Sequence, residues 1–180
     1  MFRSALLLID VQRSFLLRGY AEQPERLLFE QRLLALVAHC EQRQIPLVDI
    51  FHVEAEGPFS LASGMVSRLP FLQHQPALTV HKHVHNAFTD SGLDRWLRER
   101  DINQVIISGI RTEQCCETSA RVASDLGYRV KFVSEATLTT PLRYGEQTFS
   151  VAELRQRTCA VLAGRFADIC SVEDCFHCGE

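Results

Sequence analysis

Three side chains able to do nucleophilic and proton-transfer chemistry stand just past apolar runs. Asp10 follows five consecutive apolar residues, Ala5 to Ile9. A carboxylate there is carried into the interior, where an unpaired charge is costly. Lys82, in the stretch HKHVHNAF, poses the same problem with the opposite sign. Each could neutralise the other, and together they could move a proton to and from a third group. The structural alternatives are a loop-capping role for Asp10 and a solvated loop position for Lys82, the commoner fate of lysine.

Cys115 is the third group. It lies in GIRTEQCCETSA, after a buried apolar run, and is placed to open a helix. A thiol at a helix N-terminus feels the positive end of the macrodipole, which lowers its pKa. The backbone N–H groups of a first helical turn lack intrahelical partners and can donate to a developing oxyanion. The alternative is that Cys115, or Cys116 beside it, fills the core as a small hydrophobe.

The elements that must position these residues follow from periodicity. Ala5–Val11 reads as a strand buried on both faces. A helical stretch begins near Pro24 and buries Phe29, Leu33, Leu36, Val37 and Cys40. Ile45–Val53 is the second strand, Gly57 to Gly64 a loop, and Leu78–Lys82 the third strand. Leu93, Trp96 and Leu97 mark a helix face, and Gln104–Gly109 is the fourth strand. A helix runs from near Cys115 to Gly127, a suitable C′ residue. Arg129–Val133 is the fifth strand, Gly145–Ala163 a long helix and Phe166–Cys170 the sixth strand. Strands alternating with helices predict an α/β fold with a parallel sheet between two helical layers. Ligands of such sheets bind beyond the carboxyl ends of the strands, at the switch point. Asp10, Lys82 and Arg111–Cys115 each fall at such an end.

Composition narrows the function. The chain has 180 residues, 46% hydrophobic and 23% charged, with net charge -3. No broad basic field speaks for a nucleic-acid partner. The apolar run in MFRSALLLIDVQRSF is too short for a signal peptide and is interrupted by Asp10. Nothing reaches the ~20 apolar residues of a membrane helix, so no membrane partner and a cytoplasmic location are expected. Seven cysteines, an odd number, argue against a disulfide framework.

Other signals carry less. His81, His83 and His85 alternate around Lys82, which on a strand would put them on one face. No carboxylate or cysteine joins them at a metal-ligand spacing, so a polar face near a pocket mouth is the reading. His52 is either a pocket residue or a structural histidine. Cys175-Phe-His177-Cys178 lacks the second pair of a zinc site and sits in the tail. No Gly-x-Gly-x-x-Gly follows the first strand, and no cofactor or metal is expected.

Three motifs occur in one order: Asp10-Val-Gln12-Arg-Ser-Phe15, Lys82-His-Val-His-Asn86-Ala87-Phe88, and Gly109-Ile-Arg-Thr112-Glu-Gln-Cys115-Cys-Glu-Thr118. In this combination the chain resembles the isochorismatase-like, or cysteine hydrolase, superfamily. The fold so expected is a Rossmann-like three-layer sandwich, one domain over residues 1–180, with a six-stranded parallel sheet in the order 3-2-1-4-5-6. The resemblance implies a catalytic trio of Cys115 as nucleophile, Asp10 as general base and Lys82 as support for the thiolate. It implies an oxyanion hole from the N–H groups of Arg111 and Cys115 and a cis Ile110–Arg111 peptide. Gln12, Phe15, Asn86, Phe88 and Thr112 would shape and brace the substrate pocket. Family members are often dimers or larger, which makes a homo-oligomer the expectation, with the loop around Phe59–Leu72 as candidate interface.

Departures from the family refine this. The metal-binding nicotinamidase branch has an Asp-x-His step after the second strand, whereas this chain reads Asp49-Ile-Phe-His52-Val-Glu-Ala-Glu. Arg111 is bulky and charged where the family is often small, and it either meets an anionic substrate group or points to solvent. Thr112-x-x-Cys115 favours hydrolysis of a C–N bond (amide, ureide or carbamoyl) in a small molecule. The alternatives are a vinyl-ether hydrolase using Asp10 and Lys82 without the cysteine, and a non-catalytic or redox-sensing binding protein on the same fold.

Overall fold

The computed structural model describes residues 3–176. Strands β1 (Ser4–Ile9), β2 (Leu47–His52), β3 (Leu78–Lys82), β4 (Gln104–Ile110) and β5 (Arg129–Leu138) alternate with helices α1 (Arg26–Gln42), α2 (Leu93–Arg98) and α3 (Glu117–Asp125). A small antiparallel hairpin, β6 (Leu142–Tyr144) and β7 (Gln147–Phe149), precedes α4 (Val151–Leu162) and β8 (Asp168–Cys170). The main sheet has six strands in the order β3-β2-β1-β4-β5-β8, all parallel. This is the expected topology, with β8 as the sixth sheet strand. Among the described residues no helix is long and apolar enough to cross a membrane.

Both faces of the sheet are covered, which is why the central strands read as continuous apolar runs. Successive side chains of a strand point to opposite faces. Leu6 and Leu8 pack with Phe29, Leu33 and Leu36 of α1, while Ala5, Leu7 and Ile9 pack with Leu93, Ala120 and Leu162 on the other face. The order places β1 and β4 at the centre, and their register sets Ile9 opposite Gly109. Gly109 has φ +127°, and a Cβ there would lie 2.0 Å from the Ile9 carbonyl oxygen. Only glycine lets the end of β4 come this close to the end of β1.

The structure corrects several boundaries, among them the fifth strand, which runs on to Leu138 instead of ending at Val133. The long helix expected over residues 145–163 starts only at Val151, because residues 142–149 turn back as the hairpin. Its start is set by a capping box: Ser150 Oγ accepts from the Glu153 N–H, and the Glu153 carboxylate accepts from the Ser150 N–H. The last strand is three residues rather than five. The helix expected from Cys115 is preceded by a π-turn over Thr112–Cys116, and α3 begins at Glu117.

Candidate active site

Asp10 sits one residue past β1 with φ 54°. Aspartate tolerates this left-handed conformation better than most residues. Its N–H donates to the Ile50 carbonyl at 2.7 Å. Lys82, the last residue of β3, reaches under the sheet end with no exposure. Its Nζ donates to Asp10 Oδ2 at 2.9 Å, to the Val84 carbonyl at 3.2 Å and to Cys115 Sγ at 3.4 Å. Nζ also lies 3.3 Å from His52 Nδ1. An ammonium can only donate, so Nδ1 is the acceptor and Nε2 carries the imidazole proton. That proton faces Glu54 Oε1 at 3.7 Å.

Cys115 is carried by the π-turn that follows β4, where the Ile110–Arg111 peptide is cis. The Arg111 carbonyl accepts from the N–H groups of Gln114 and Cys116 at 3.2 Å each. Three separate strand ends thus bring Asp10, Lys82 and Cys115 within hydrogen-bond reach of one another.

Burial governs the charges. It raises the Asp10 carboxyl above its ordinary 3.8, against the lowering pull of Lys82. It also pushes the Cys115 thiol up to about 12, helped by the Asp10 charge and opposed by Lys82. This overturns the expected lowering at a helix terminus. Cys115 is only 8% exposed and shares its surroundings with a carboxylate, and both effects penalise a thiolate. His52 is pushed down by burial and by Lys82, which keeps it neutral and able to accept. Asp10 Oδ1 has no regular hydrogen-bond partner among the described residues, although the carboxyl interacts with the Cys115 thiol.

Asp10 and Cys115 open into a cavity of about 300 Å³, small enough for a modest organic molecule. Phe15 and Phe59, packed edge-to-face at 5.2 Å, form an apolar wall with His52. Arg18, Glu54, His85, Arg111 and Gln114 supply polar lining.

The other pocket candidates lie elsewhere. Gln12 is fully buried and ties β1 to β2, its amide bonding both the N–H and the carbonyl of His52 at 2.7 and 3.0 Å. Asn86 Oδ1 is occupied by the N–H groups of Phe88 and Thr89. Phe88 stacks on Tyr128 in the core, and Thr112 Oγ1 donates to Thr137 Oγ1 at 2.8 Å. These four side chains are spent on structure because each faces an internal partner rather than the cavity. The histidines around Lys82 do not share a strand face either. β3 ends at Lys82, so only His81 belongs to it, and His85 turns to the cavity. Cys116 is fully buried in the core. Cys175 packs under α1, and Cys178 lies outside the described residues.

Arg18, Glu54, Phe59 and Gln114 were not anticipated from the sequence. Arg18 had only its nearness to Phe15 as a signal, and it caps the C-terminal end of the 3-10 turn Arg13–Leu17 that carries Phe15. Phe59 had none. It is delivered by the β2–β3 connection, which Asp49 anchors by accepting from Arg68 at 2.7 Å and from His74 at 2.9 Å.

The sequence profile of the Isochorismatase domain matches residues 4–165. An uncharacterised isochorismatase family protein of Bacillus subtilis strain 168, YrdC, is 23% identical over 95% of this chain and 93% of its own length. The nicotinamidase of Escherichia coli K12 is 24% identical over 73% of this chain and 81% of its own. Among solved structures, a cysteine hydrolase from Pseudomonas syringae pv. phaseolicola 1448A shares the fold with TM-score 0.87 at 21% identity, covering 96% of this chain and 90% of that one. With the profile matched over most of its length and the parallel sheet in common, the chain belongs to the isochorismatase family of hydrolases.

Proposed function

We propose that this protein hydrolyses a C–N bond of a small amide, ureide or carbamoyl compound through an acyl intermediate on Cys115. The observation that carries the reading is the Lys82 ammonium, 2.9 Å from Asp10 and 3.4 Å from Cys115, behind a cavity into which only the latter two open. A nicotinamidase among its relatives points to the same bond type.

In the first half-reaction Asp10 takes the thiol proton as the sulfur attacks the substrate carbonyl. The raised Asp10 pKa makes it the stronger base for that transfer. Because the thiol rests protonated, thiolate forms only as the C–S bond forms. The N–H groups of Arg111 and Cys115 receive the developing oxyanion. Asp10 then returns the proton to the departing nitrogen, the C–N bond breaks and an amine or ammonia leaves. In the second half, Asp10 deprotonates a water that attacks the thioester. The acid departs, and the proton goes back to sulfur. Lys82 donates to both Asp10 and Cys115 and so stabilises whichever partner carries the negative charge.

The test is a panel of small amides and ureides assayed for amine or ammonia release, with intact-protein mass spectrometry during turnover. We expect an acyl adduct on Cys115 and a loss of at least ~10³-fold in kcat/KM for Cys115→Ala. Full activity of Cys115→Ala would refute the cysteine mechanism and favour vinyl-ether hydrolysis by Asp10 and Lys82.

A further inference from the structure

The cavity wall holds two arginines without acidic partners. Arg111 donates to the neutral Thr140 hydroxyl at 2.7 Å, and Arg18 lies over the Phe59 ring at 5.5 Å. Among the described residues neither forms an ion pair. The contrast is with Arg68, Arg121 and Arg157, each of which is held by a buried carboxylate. Arg18 and Arg111 also border the adjoining recess lined by Leu138 and Thr139, so the two arginines share the lining of both spaces. Glu54 does not border that recess and stands beside His52 instead. The cavity is therefore lined by two arginines that no carboxylate holds, while its two acids, Asp10 and Glu54, stand beside Lys82 and His52. Two guanidiniums left unneutralised in a partly enclosed site form a receptor for an anion, and their planar forks match a carboxylate.

We infer that the substrate of the proposed hydrolysis is an acyl compound bearing a carboxylate away from the scissile bond, held between Arg18 and Arg111. The inference rests on the hydrolase reading for what happens at Cys115, but the anion subsite stands on the arginines alone. It sets the chain's specificity apart from that expected for a neutral amide. Arg18 and Arg111 act here on binding and orientation, so their loss raises KM before it lowers kcat.

The test separates binding from turnover. Calorimetry with unreactive C4–C6 dicarboxylates, against the corresponding diols, measures the subsite directly. We expect binding of the dicarboxylates to exceed that of the diols by at least tenfold and to weaken as ionic strength rises. Arg18→Gln and Arg111→Gln should each weaken dicarboxylate binding about tenfold, and the Lys variants should recover part of it. Circular dichroism confirms that each variant is folded. Equal affinity for diols and dicarboxylates, no dicarboxylate binding, or Gln variants that bind as the wild type does would overturn the inference. In turnover, monoamides of the same diacids should be preferred over the matched diamides by at least tenfold in kcat/KM, and the preference should collapse in both Gln variants. Dicarboxylate binding without hydrolysis of any amide would remove the hydrolase reading and leave the anion site. Hydrolysis without preference for the carboxylate would do the reverse.

Discussion

The Lys82 ammonium has three protons and four acceptors within 3.4 Å: Asp10, the Val84 carbonyl, His52 and the Cys115 sulfur. One bond is always shared, and the sulfur, as the weakest and farthest acceptor, is the partner most easily released and regained. The Asp10 charge raises the thiol pKa while Lys82 lowers it. Asp10→Asn removes the first influence and leaves the second. In that variant Cys115 should alkylate with iodoacetamide at neutral pH several-fold faster than in the wild type, because a lowered thiol pKa raises the thiolate fraction. Turnover should meanwhile fall by ~10²–10⁴-fold, because the base is gone. Site-mapped mass spectrometry reads the first and the amide assay the second. Unchanged alkylation would mean that burial alone keeps the thiol protonated. Asp10, Lys82 and Cys115 were legible because a reactive residue at the end of a buried run must have a partner. The direction of the thiol shift was not, since sequence marks a helix start but not how much protein covers the sulfur.

At the scale of elements, the site depends on how closely the ends of β1 and β4 approach. Gly109→Ala would put a methyl group 2.0 Å from the Ile9 carbonyl oxygen, in a backbone conformation L side chains rarely adopt. Either the strands separate or Gly109 leaves its conformation, and both outcomes shift the turn that carries Cys115. We expect a stability loss on the order of 3 kcal/mol or more, read as a lowered urea midpoint, with hydrolysis lost at temperatures where the variant is still folded. A midpoint within experimental error of wild type would show that the ends of β1 and β4 need not be this close. The sheet strands were readable from continuous apolar runs, and α1 from the spacing of Phe29, Leu33, Leu36, Val37 and Cys40, all buried in the structure. The hairpin β6–β7 escaped notice because its two three-residue strands carry no apolar alternation and its residues are mostly exposed. The helical period of α4 therefore reads back to Gly145 in the sequence, although Ser150 and Glu153 spell the capping box that starts it.

At the scale of the whole molecule, the Asp10–Lys82 pair joins residues 72 apart in sequence, both fully enclosed. Lys82→Met breaks a buried pair on one side and should cost ~3–5 kcal/mol. The pH dependence has a definite sign. The folded-state pKa of Asp10 is already raised above 3.8, and losing Lys82 removes its main opposing influence. A carboxyl raised in the folded state favours folding below its unfolded pKa, and that benefit is lost as pH rises through the folded value. The deficit of Lys82→Met in urea denaturation should thus be larger at about pH 7.5 than at about pH 4.5. Asp10→Asn combined with Lys82→Met should recover most of the deficit. A deficit independent of pH would place the cost in lost packing rather than in an unpaired charge. The sequence by itself determined the fold class and the candidate residues Asp10, Lys82 and Cys115, because burial patterns and costly buried charges are local properties, while the strand order was implied by the resemblance that the three motifs carry. Only the tertiary structure decided what surrounds them: that Gln12, Asn86, Phe88 and Thr112 turn inward, and that Arg18, Phe59 and Glu54 meet across the cavity. Which loop residues face a shared space depends on chain geometry between distant elements, and no spacing along the chain encodes it.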